Sequence, residues 1–222
     1  MKKQKKSKWS EVHISTIFFK DPNKSTEDVA KELLGCLLVK EVNGKITSGW
    51  IVETEAYVGI EDQASHSYDG KHTPRMQVMY DEAGIIYIYQ MHTHYMLNIV
   101  TREKGDPQAV LIRAIEPFEG KDLMEKRRGR TGFELTNGPG KLTKALGITR
   151  DDYETDSLTP PLFIDPTKRK FPKVVETSKR IGIPNKGKWT DALLRYTVKG
   201  NPYVSRKKGK VSVDNGWATA FN

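Results

Sequence analysis

The stretch WIVETEAYVGIEDQASHS, residues 50–67, is the segment from which we interpret the fold. It begins as an alternating strand and ends in a polar loop that contains a glycine. Side chains at positions i, i+2 and i+4 of a strand share a face, so the spacing predicts that Glu53, Glu55 and Tyr57 point the same way. A carboxylate beside an aromatic ring suits chemistry on a flat substrate. The same alternation is also typical of an ordinary antiparallel strand whose acidic residues face solvent.

Length and composition indicate one globular domain. The 222 residues, with 36% hydrophobic and 29% charged side chains, are enough to bury a sizeable core. No apolar run is long enough to span a bilayer, and no apolar segment follows the charged N-terminus as in a signal peptide. Cys36 is the only cysteine, which excludes an internal disulfide and fits a reducing, cytoplasmic location. Its apolar neighbours predict a small core residue.

The charge of the chain favours a polyanionic partner. The formal net charge is +9 and the isoelectric point is near 9.4, which is typical of proteins that bind nucleic acid or an anionic membrane surface. Basic enzymes without such partners also exist. Residues 1–8 are interpreted as a disordered basic tail, residues 9–206 as a single domain, and residues 207–222 as a basic C-terminal tail that is partly ordered.

Local patterns predict an α+β fold: a mixed, mostly antiparallel sheet with flanking helices and a protruding β-hairpin. Ser25 or Thr26 can cap a helix that stops at Gly35. Asn43-Gly44 between two apolar runs is a strong hairpin signal. The other expected elements are two strands within 85–101 around a turn near 91–93, a buried strand at 109–117, helices within 119–130 and 137–148, and strands near 163–169 and 195–199.

Taken in order, the motifs resemble those of the alkyladenine (3-methyladenine) DNA glycosylase family. The resemblance extends from about Phe18 to Ser205, and the order and spacing of the motifs make it specific. It rests on VETEAYVGIEDQASHS, His72-Thr73-Pro74-Arg75, Tyr87-x-Tyr89, Asn98, VLIRAIEP, GPGKL, and the C-terminal RIGI, GKW and LRYTVKGNPYVS.

The resemblance implies a monofunctional DNA glycosylase of base excision repair. Such an enzyme flips alkylated or deaminated purines, such as 3-methyladenine, hypoxanthine and ethenoadenine, out of duplex DNA and hydrolyses the N-glycosidic bond without cutting the strand. The implied partner is duplex DNA containing damaged purines. No cofactor, metal or membrane is implied, and we expect a monomer that associates with the nucleoid if the source is bacterial.

The resemblance also implies roles for individual residues. Glu55 corresponds to the general base that activates water, and Arg113 to an arginine that helps to hold that water. Tyr57 and Tyr89 correspond to aromatics that stack on the flipped base, and His66 to a histidine at the base edge. These roles suit the chemistry, since an extruded base is held by stacking and by edge hydrogen bonds.

Two further roles concern selectivity and insertion into DNA. Asn98 corresponds to an asparagine that clashes with the guanine amino group. The vertebrate members carry a tyrosine wedge at the hairpin tip, whereas the tip here, Gln90 to His94, is one residue shorter. His92 or Met91 is therefore the candidate that intercalates in place of the flipped nucleotide.

Several alternatives stay open at the level of the residues. Strand geometry does not choose between Glu53 and Glu55 as the base; the resemblance selects Glu55. Arg113 could be a structural ion pair, and the tyrosines could be sheet packing. The histidines lack an HExxH-type spacing, so a metal is not expected. The basic runs 126–130 and 168–173 could face solvent or bind phosphate. Rival functions are an inactive DNA-binding module on the same fold and a hydrolase of free nucleosides.

Overall fold

An eight-stranded antiparallel sheet forms the centre of the molecule. The computed structural model describes residues 18–21, 23–207 and 209–219. The main path of the sheet runs β3-β4-β5-β2-β1-β6, while β8 pairs with β2 and β7 pairs with β8. The strands are β1 (Cys36–Val42), β2 (Lys45–Tyr57), β3 (Ile86–Met91), β4 (His94–Val100), β5 (Ala109–Glu119), β6 (Leu162–Arg169), β7 (Val175–Ser178) and β8 (Arg195–Val198).

Helices flank this sheet, which confirms the expected α+β class. Ser25 caps the first helix, since its hydroxyl accepts a hydrogen bond from the amide of Asp28. The third helix packs on β4, on β5 and on the second helix. The helices are α1 (Thr26–Glu32), α2 (Lys121–Arg128), α3 (Pro139–Leu146) and the single turn α4 (Lys188–Asp191). No helix in the described part of the chain is long and apolar enough to cross a membrane.

Two predicted hairpins are confirmed. Asn43 and Gly44 both have positive φ, 50° and 73°, as a two-residue turn that follows the twist of its strands requires. Strands β3 and β4 pair from Ile86↔Ile99 to Met91↔His94, which leaves a two-residue turn at the tip. The segment 85–101 therefore forms two strands, with the turn where the sequence predicts it.

Strand β2 is the central strand of the site, and it carries an irregularity. The pairing with β5 runs Ile51↔Ile115, Glu53↔Ala114 and Thr54↔Ile112. One residue of each strand, Val52 and Arg113, is therefore left without an opposite residue, as in a β-bulge. The irregularity places Arg113 beside the two carboxylates of β2.

Two elements escaped the sequence analysis. Strand β7 has three exposed residues and one half-buried residue, so it shows no apolar alternation. It forms only because β8 supplies a pairing edge, from Val175↔Val198 to Ser178↔Arg195. Helix α4 has no buried residue and is too short to show a helical period. Neither element carries a local signal strong enough to be predicted.

The C-terminal segment contributes to the core. Trp217 is buried and belongs to the main hydrophobic cluster, as does Cys36, whose predicted core position is confirmed. The indole nitrogen of Trp217 donates to Glu116 Oε2 at 2.8 Å. Asn201 donates to the same oxygen at 2.7 Å, and Lys170 donates to the other oxygen of Glu116 at 2.7 Å. This carboxylate thus joins the segment after β8 to β5.

Candidate active site

A cleft of about 760 Å³ is lined by residues of the four neighbouring strands β3, β4, β5 and β2 and of the loops around them. Aromatic and aliphatic side chains supply most of its walls, and cations lie around them. Its lining residues include Tyr57, His66, Lys71, Arg75, Tyr87, Tyr89, Met91, Leu111, Arg113 and Ile181. The structure therefore brings together five of the residues predicted for the site, on three strands and one loop.

Glu55 is completely buried and does not itself line the cleft, but its carboxylate is bonded to three residues that do, Tyr57, Arg113 and Ile181. One of its oxygens accepts a hydrogen bond from the backbone amide of Ile181 at 2.7 Å. The other oxygen accepts from Arg113 Nη1 at 3.2 Å and from the hydroxyl of Tyr57 at 3.0 Å. Burial raises the pKa of the Glu55 carboxyl above its usual value, and the charge of Arg113 opposes that rise. Such a group can take a proton more readily than an exposed carboxylate.

Among the described residues, Glu53 accepts four hydrogen bonds, whereas Glu55 accepts three. Its Oε1 accepts from Arg113 Nε at 2.9 Å, from Arg195 Nε at 2.7 Å and from the Ser205 hydroxyl at 2.7 Å. Its Oε2 accepts from the Ser205 amide at 2.7 Å. Glu53 and Glu55 are both completely buried, so the interpretation of solvent-facing acidic residues is wrong. These contacts join β2 to β5, to β8 and to the segment after β8.

Arg113 connects the two carboxylates and also lines the cleft. Its Nε and Nη1 atoms donate to Glu53 and Glu55 respectively. A guanidinium carries five N–H groups, and Nη2 donates to no acceptor in the part of the chain that the structure describes. Arg113 is therefore a structural ion pair on one side and a potential donor to a ligand on the other.

The loop after β7 holds the site together, and sequence reasoning did not single it out. Arg180 is buried and forms a two-point ion pair with Asp62, with Nη2 to Oδ1 at 2.8 Å. Its Nη1 also donates to the Ala56 carbonyl, and its Cζ lies 4.7 Å from the centre of the Tyr57 ring. The next residue is Ile181, whose amide contacts Glu55. Only the RIGI motif marked this segment in the sequence.

The aromatic side chains pack around His66. Its Nδ1 lies 2.9 Å from the hydroxyl of Tyr87, and its ring centre is 4.5 Å from that of Tyr89 in an edge-on arrangement. Burial lowers the pKa of His66, as do the charges of Arg75 and Lys71. The imidazole is therefore neutral near pH 7, with one nitrogen available to donate and one to accept. Burial also raises the pKa of Tyr89 to about 12.

Asn98 is buried at an inner extension of the cleft. A small cavity there is lined by Asn98 together with Tyr57, His66 and Tyr89, which also line the main cleft. The side-chain amide nitrogen of Asn98 donates to the carbonyl oxygens of Tyr87 and Met96, at 3.1 and 3.2 Å. These bonds fix the orientation of the side-chain amide of Asn98.

The hairpin tip projects both candidate intercalating residues. Met91 is 49% exposed and lies on the cleft side, on the same face of β3 as the lining residues Tyr87 and Tyr89. His92 occupies the first turn position with φ of 53°, a left-handed conformation that histidine tolerates better than most residues. The structure thus presents two different side chains at adjacent positions of the tip.

His72, His94 and the basic run 126–130 lie outside the lining of the cleft. His72 packs on Tyr80 with 4.3 Å between ring centres, and His94 abuts Gly140 of α3. In residues 18–21, 23–207 and 209–219, no three His, Cys, Asp or Glu side chains are grouped so that they could hold a metal ion. In the run 126–130, Arg127 donates to the carbonyls at the C-terminus of α3, which is a structural use.

Aromatic walls beside a buried carboxylate suit an enzyme that holds a flat ring and acts on the bond that attaches it, as DNA glycosylases do. The sequence pattern that defines the methylpurine-DNA glycosylase family matches residues 20–202. The chain therefore belongs to that family. It is a DNA repair enzyme with glycosylase activity, and its substrate is DNA.

Similar proteins from several bacteria support this assignment, and each is provisionally named a 3-methyladenine DNA glycosylase. A protein from Enterococcus faecalis is 54% identical over 202 residues, covering 90% of this chain and 88% of its own. One from Staphylococcus saprophyticus is 52% identical over 185 residues, covering 83% and 91%. One from Staphylococcus epidermidis is 51% identical over 186 residues, covering 84% and 91%.

Proposed function

We propose that this chain is a monofunctional glycosylase that excises 3-methyladenine, hypoxanthine and ethenoadenine from duplex DNA. Glu55 removes a proton from a water molecule, which attacks C1′ of the damaged nucleotide. The N-glycosidic bond breaks, and the products are the free base and an abasic site in an intact strand. In this proposal the protein acts as a monomer and needs no cofactor.

The environment of Glu55 carries the proposal. Its carboxylate is held by Arg113, by the Ile181 amide and by the Tyr57 hydroxyl, so it is oriented before substrate binds. Burial favours its protonated form, and general bases contribute most when their pKa is raised towards the working pH. The anionic form also stabilises the positive charge that develops on the sugar as the base departs.

The damaged base is held between Tyr57 and Tyr89 in this proposal. Both rings line the cleft, and stacking on an aromatic side chain is worth about 1–3 kcal/mol per base. His66, neutral and bonded to Tyr87, offers one ring nitrogen to the edge of the base. Asn98, fixed at the inner end, excludes the additional amino group of guanine. Met91 or His92 fills the space that the flipped nucleotide leaves.

Single-turnover excision from a duplex with one hypoxanthine or ethenoadenine tests the proposal. We compare the wild type with Glu55→Gln, and strand breaks are measured with and without alkali. The exposed carboxylate Glu61, in the loop after β2, provides the matched control Glu61→Gln. We expect Glu55→Gln to slow excision by about 10²–10⁴-fold while duplex binding is retained, and Glu61→Gln to behave as the wild type.

Three outcomes would contradict the proposal. Equal rates in the wild type and Glu55→Gln would remove Glu55 from the chemistry. Strand breaks without alkali would indicate lyase activity and direct attention to Lys71, which lines the cleft. Tight binding without excision of any of these purines would favour an inactive binding module.

A further inference from the structure

Two arginines donate hydrogen bonds to carbonyls on the outer edge of strand β3. This edge lies beside the cleft that is proposed to hold the flipped base, called the base cleft below. β3 is an edge strand, so its outward carbonyls have no neighbouring strand to bond them. Backbone atoms of Glu154 and Thr155 satisfy Ile86. Arg150 Nη1 then donates to the carbonyl of Ile88, and Arg75 Nη2 donates to that of Gln90 at 2.8 Å. Along this edge, a backbone amide therefore bonds the carbonyl of Ile86, and an arginine side chain bonds each of the carbonyls of Ile88 and Gln90.

Tyr153 holds the two arginines in place. The Cζ atom of Arg150 lies 3.8 Å from the centre of the Tyr153 ring, and the Tyr153 hydroxyl donates to the carbonyl of Arg75 at 3.3 Å. The guanidinium of Arg150 is therefore positioned by β3 and by the Tyr153 ring, and that of Arg75 by β3, with its backbone bonded to Tyr153. Neither orientation depends on a bound ligand.

Neither guanidinium has its charge compensated. Across the described ranges 18–21, 23–207 and 209–219, Arg75 and Arg150 form no ion pair, whereas Arg113, Arg180 and Arg195 each contact a carboxylate. Each of the two uses one of its five N–H groups on a β3 carbonyl. The remaining donors are available to an anion, and a planar guanidinium fits the oxygens of a phosphate with two parallel bonds.

A cavity of about 410 Å³ lies between these arginines and is lined also by Gln90, His92 and Tyr95. It adjoins the base cleft, because Arg75 and Gln90 line both. A base and its own phosphates are joined through one sugar. A cationic site that shares a wall with the base cleft is therefore placed for a phosphate of the same strand.

We propose that Arg75 and Arg150 bind one phosphodiester of the lesion-containing strand, next to the extruded nucleotide. The inference rests on the proposed function, since it takes the cleft as the site of the flipped base. The arginines bond the strand that carries the hairpin tip, so this contact couples the position of the DNA backbone to that of the inserted residue.

Binding to an abasic analogue tests the inference without any excision step. The duplex carries one tetrahydrofuran residue, and the dissociation constant is measured at several salt concentrations for the wild type and for the double variant Arg75→Gln/Arg150→Gln. Glutamine removes the charge and retains an N–H donor for the β3 carbonyls. Lys104→Met is the matched control, since Lys104 is exposed and lines neither the cavity nor the base cleft.

We expect the double variant to reduce the slope of log K against log salt by about 0.9, the value for one phosphate contact. Lys104→Met should leave the slope unchanged. Unaltered slope in the double variant overturns the proposal. A thermal unfolding midpoint close to that of the wild type shows that the variant is folded.

Neutral methylphosphonates placed one at a time around the analogue identify the phosphate. The wild type should lose roughly tenfold in affinity, about 1.4 kcal/mol, when one phosphate flanking the analogue is neutralised, and the double variant should lose nothing further at that position. Equal losses of affinity in the wild type and the double variant at every position would overturn the proposed phosphate contact. A difference between the two proteins only at phosphates of the opposite strand would overturn it as well. A protein that binds in this way but excises nothing would contradict the proposed function and leave this inference standing.

Discussion

Glu53 and Glu55 lie two residues apart on β2, and Arg113 contacts both, yet their remaining partners give them different properties. Arg195 and Ser205 complete the coordination of Glu53. Glu55 receives donors from the cleft side, and burial raises its pKa. Two carboxylates on one face of one strand can therefore serve stability and chemistry separately, because the segments packed against them differ.

Replacing Glu53 should affect stability first. Glu53→Gln removes the carboxylate that Arg195 contacts and leaves Arg113 with Glu55 as its partner, and loss of one partner of a buried ion pair costs about 3–5 kcal/mol. Urea unfolding monitored by circular dichroism measures the change. Wild-type stability combined with a large loss of excision would contradict the structural role of Glu53.

The pH dependence of excision should follow the ionisation of Glu55. The base form is the carboxylate, and burial raises the pKa of this group above 4.5, so the rate should fall as pH drops through that raised pKa. Single-turnover rates across an acidic pH series measure the effect. In Glu55→Gln the residual rate should lose this dependence. A variant profile that matches the wild-type profile would assign the ionisation to another group, such as His66.

At the scale of elements, the β3–β4 hairpin combines rigidity with exposure. Arg150 and Arg75 bond the carbonyls of Ile88 and Gln90 along its outer edge, and its tip presents Met91 and His92. His92 has positive φ, a conformation in which a residue with a Cβ is strained by about 1–3 kcal/mol. Strain of this kind is commonly retained at positions that contact a ligand.

Substitutions at the tip should separate the two candidate intercalating residues. His92→Gly relieves the backbone strain and should not reduce stability, whereas loss of the intercalating side chain should slow excision from duplex DNA roughly tenfold, since each unstacked step costs a few kcal/mol. Met91→Ala is the matched comparison. Rates on single-stranded DNA, which needs no wedge, provide the control. Equal losses on single and double strands would contradict an intercalating role.

At the scale of the whole molecule, the segment after β8 closes the core over β5. Glu116 gathers Lys170, Asn201 and Trp217 through hydrogen bonds, and the indole of Trp217 packs among buried residues of the sheet. The same segment also contains Ser205, whose backbone amide donates to the Glu53 carboxylate. Packing of the C-terminal segment and the geometry of the site are thus connected.

Removal of the Trp217 side chain from the core should therefore destabilise the protein. Trp217→Ala removes a buried aromatic side chain, which costs about 3–5 kcal/mol, and for a domain of this size each kcal/mol lowers Tm by roughly 2–4 °C. Calorimetry measures the shift. Trp217→Phe, which retains most of the apolar volume, is the control. An unchanged Tm in the alanine variant would show that the segment packs independently of the core.

The amino-acid sequence by itself determined the elements with local signals. Turn residues at Asn43-Gly44, a polar break near residues 91–93 and an apolar run in β5 each act over a few residues, so their structures follow from nearby chemistry. The ordered motifs likewise indicated the family and brought Glu55, Arg113, Tyr57, His66 and Tyr89 forward as site residues. The exposed strand β7 lacked such a signal.

Only the tertiary structure decided how the site residues are held. The amide of Ile181 reaches Glu55 across 126 residues of sequence, and Arg180 reaches Asp62 across 118. The irregular pairing of β2 with β5 places Arg113 between two carboxylates. Arg75 and Arg150 donate hydrogen bonds to carbonyls at the edge of β3. These contacts join segments that become neighbours only when the sheet has formed, and no local pattern specifies which buried donor meets which acceptor.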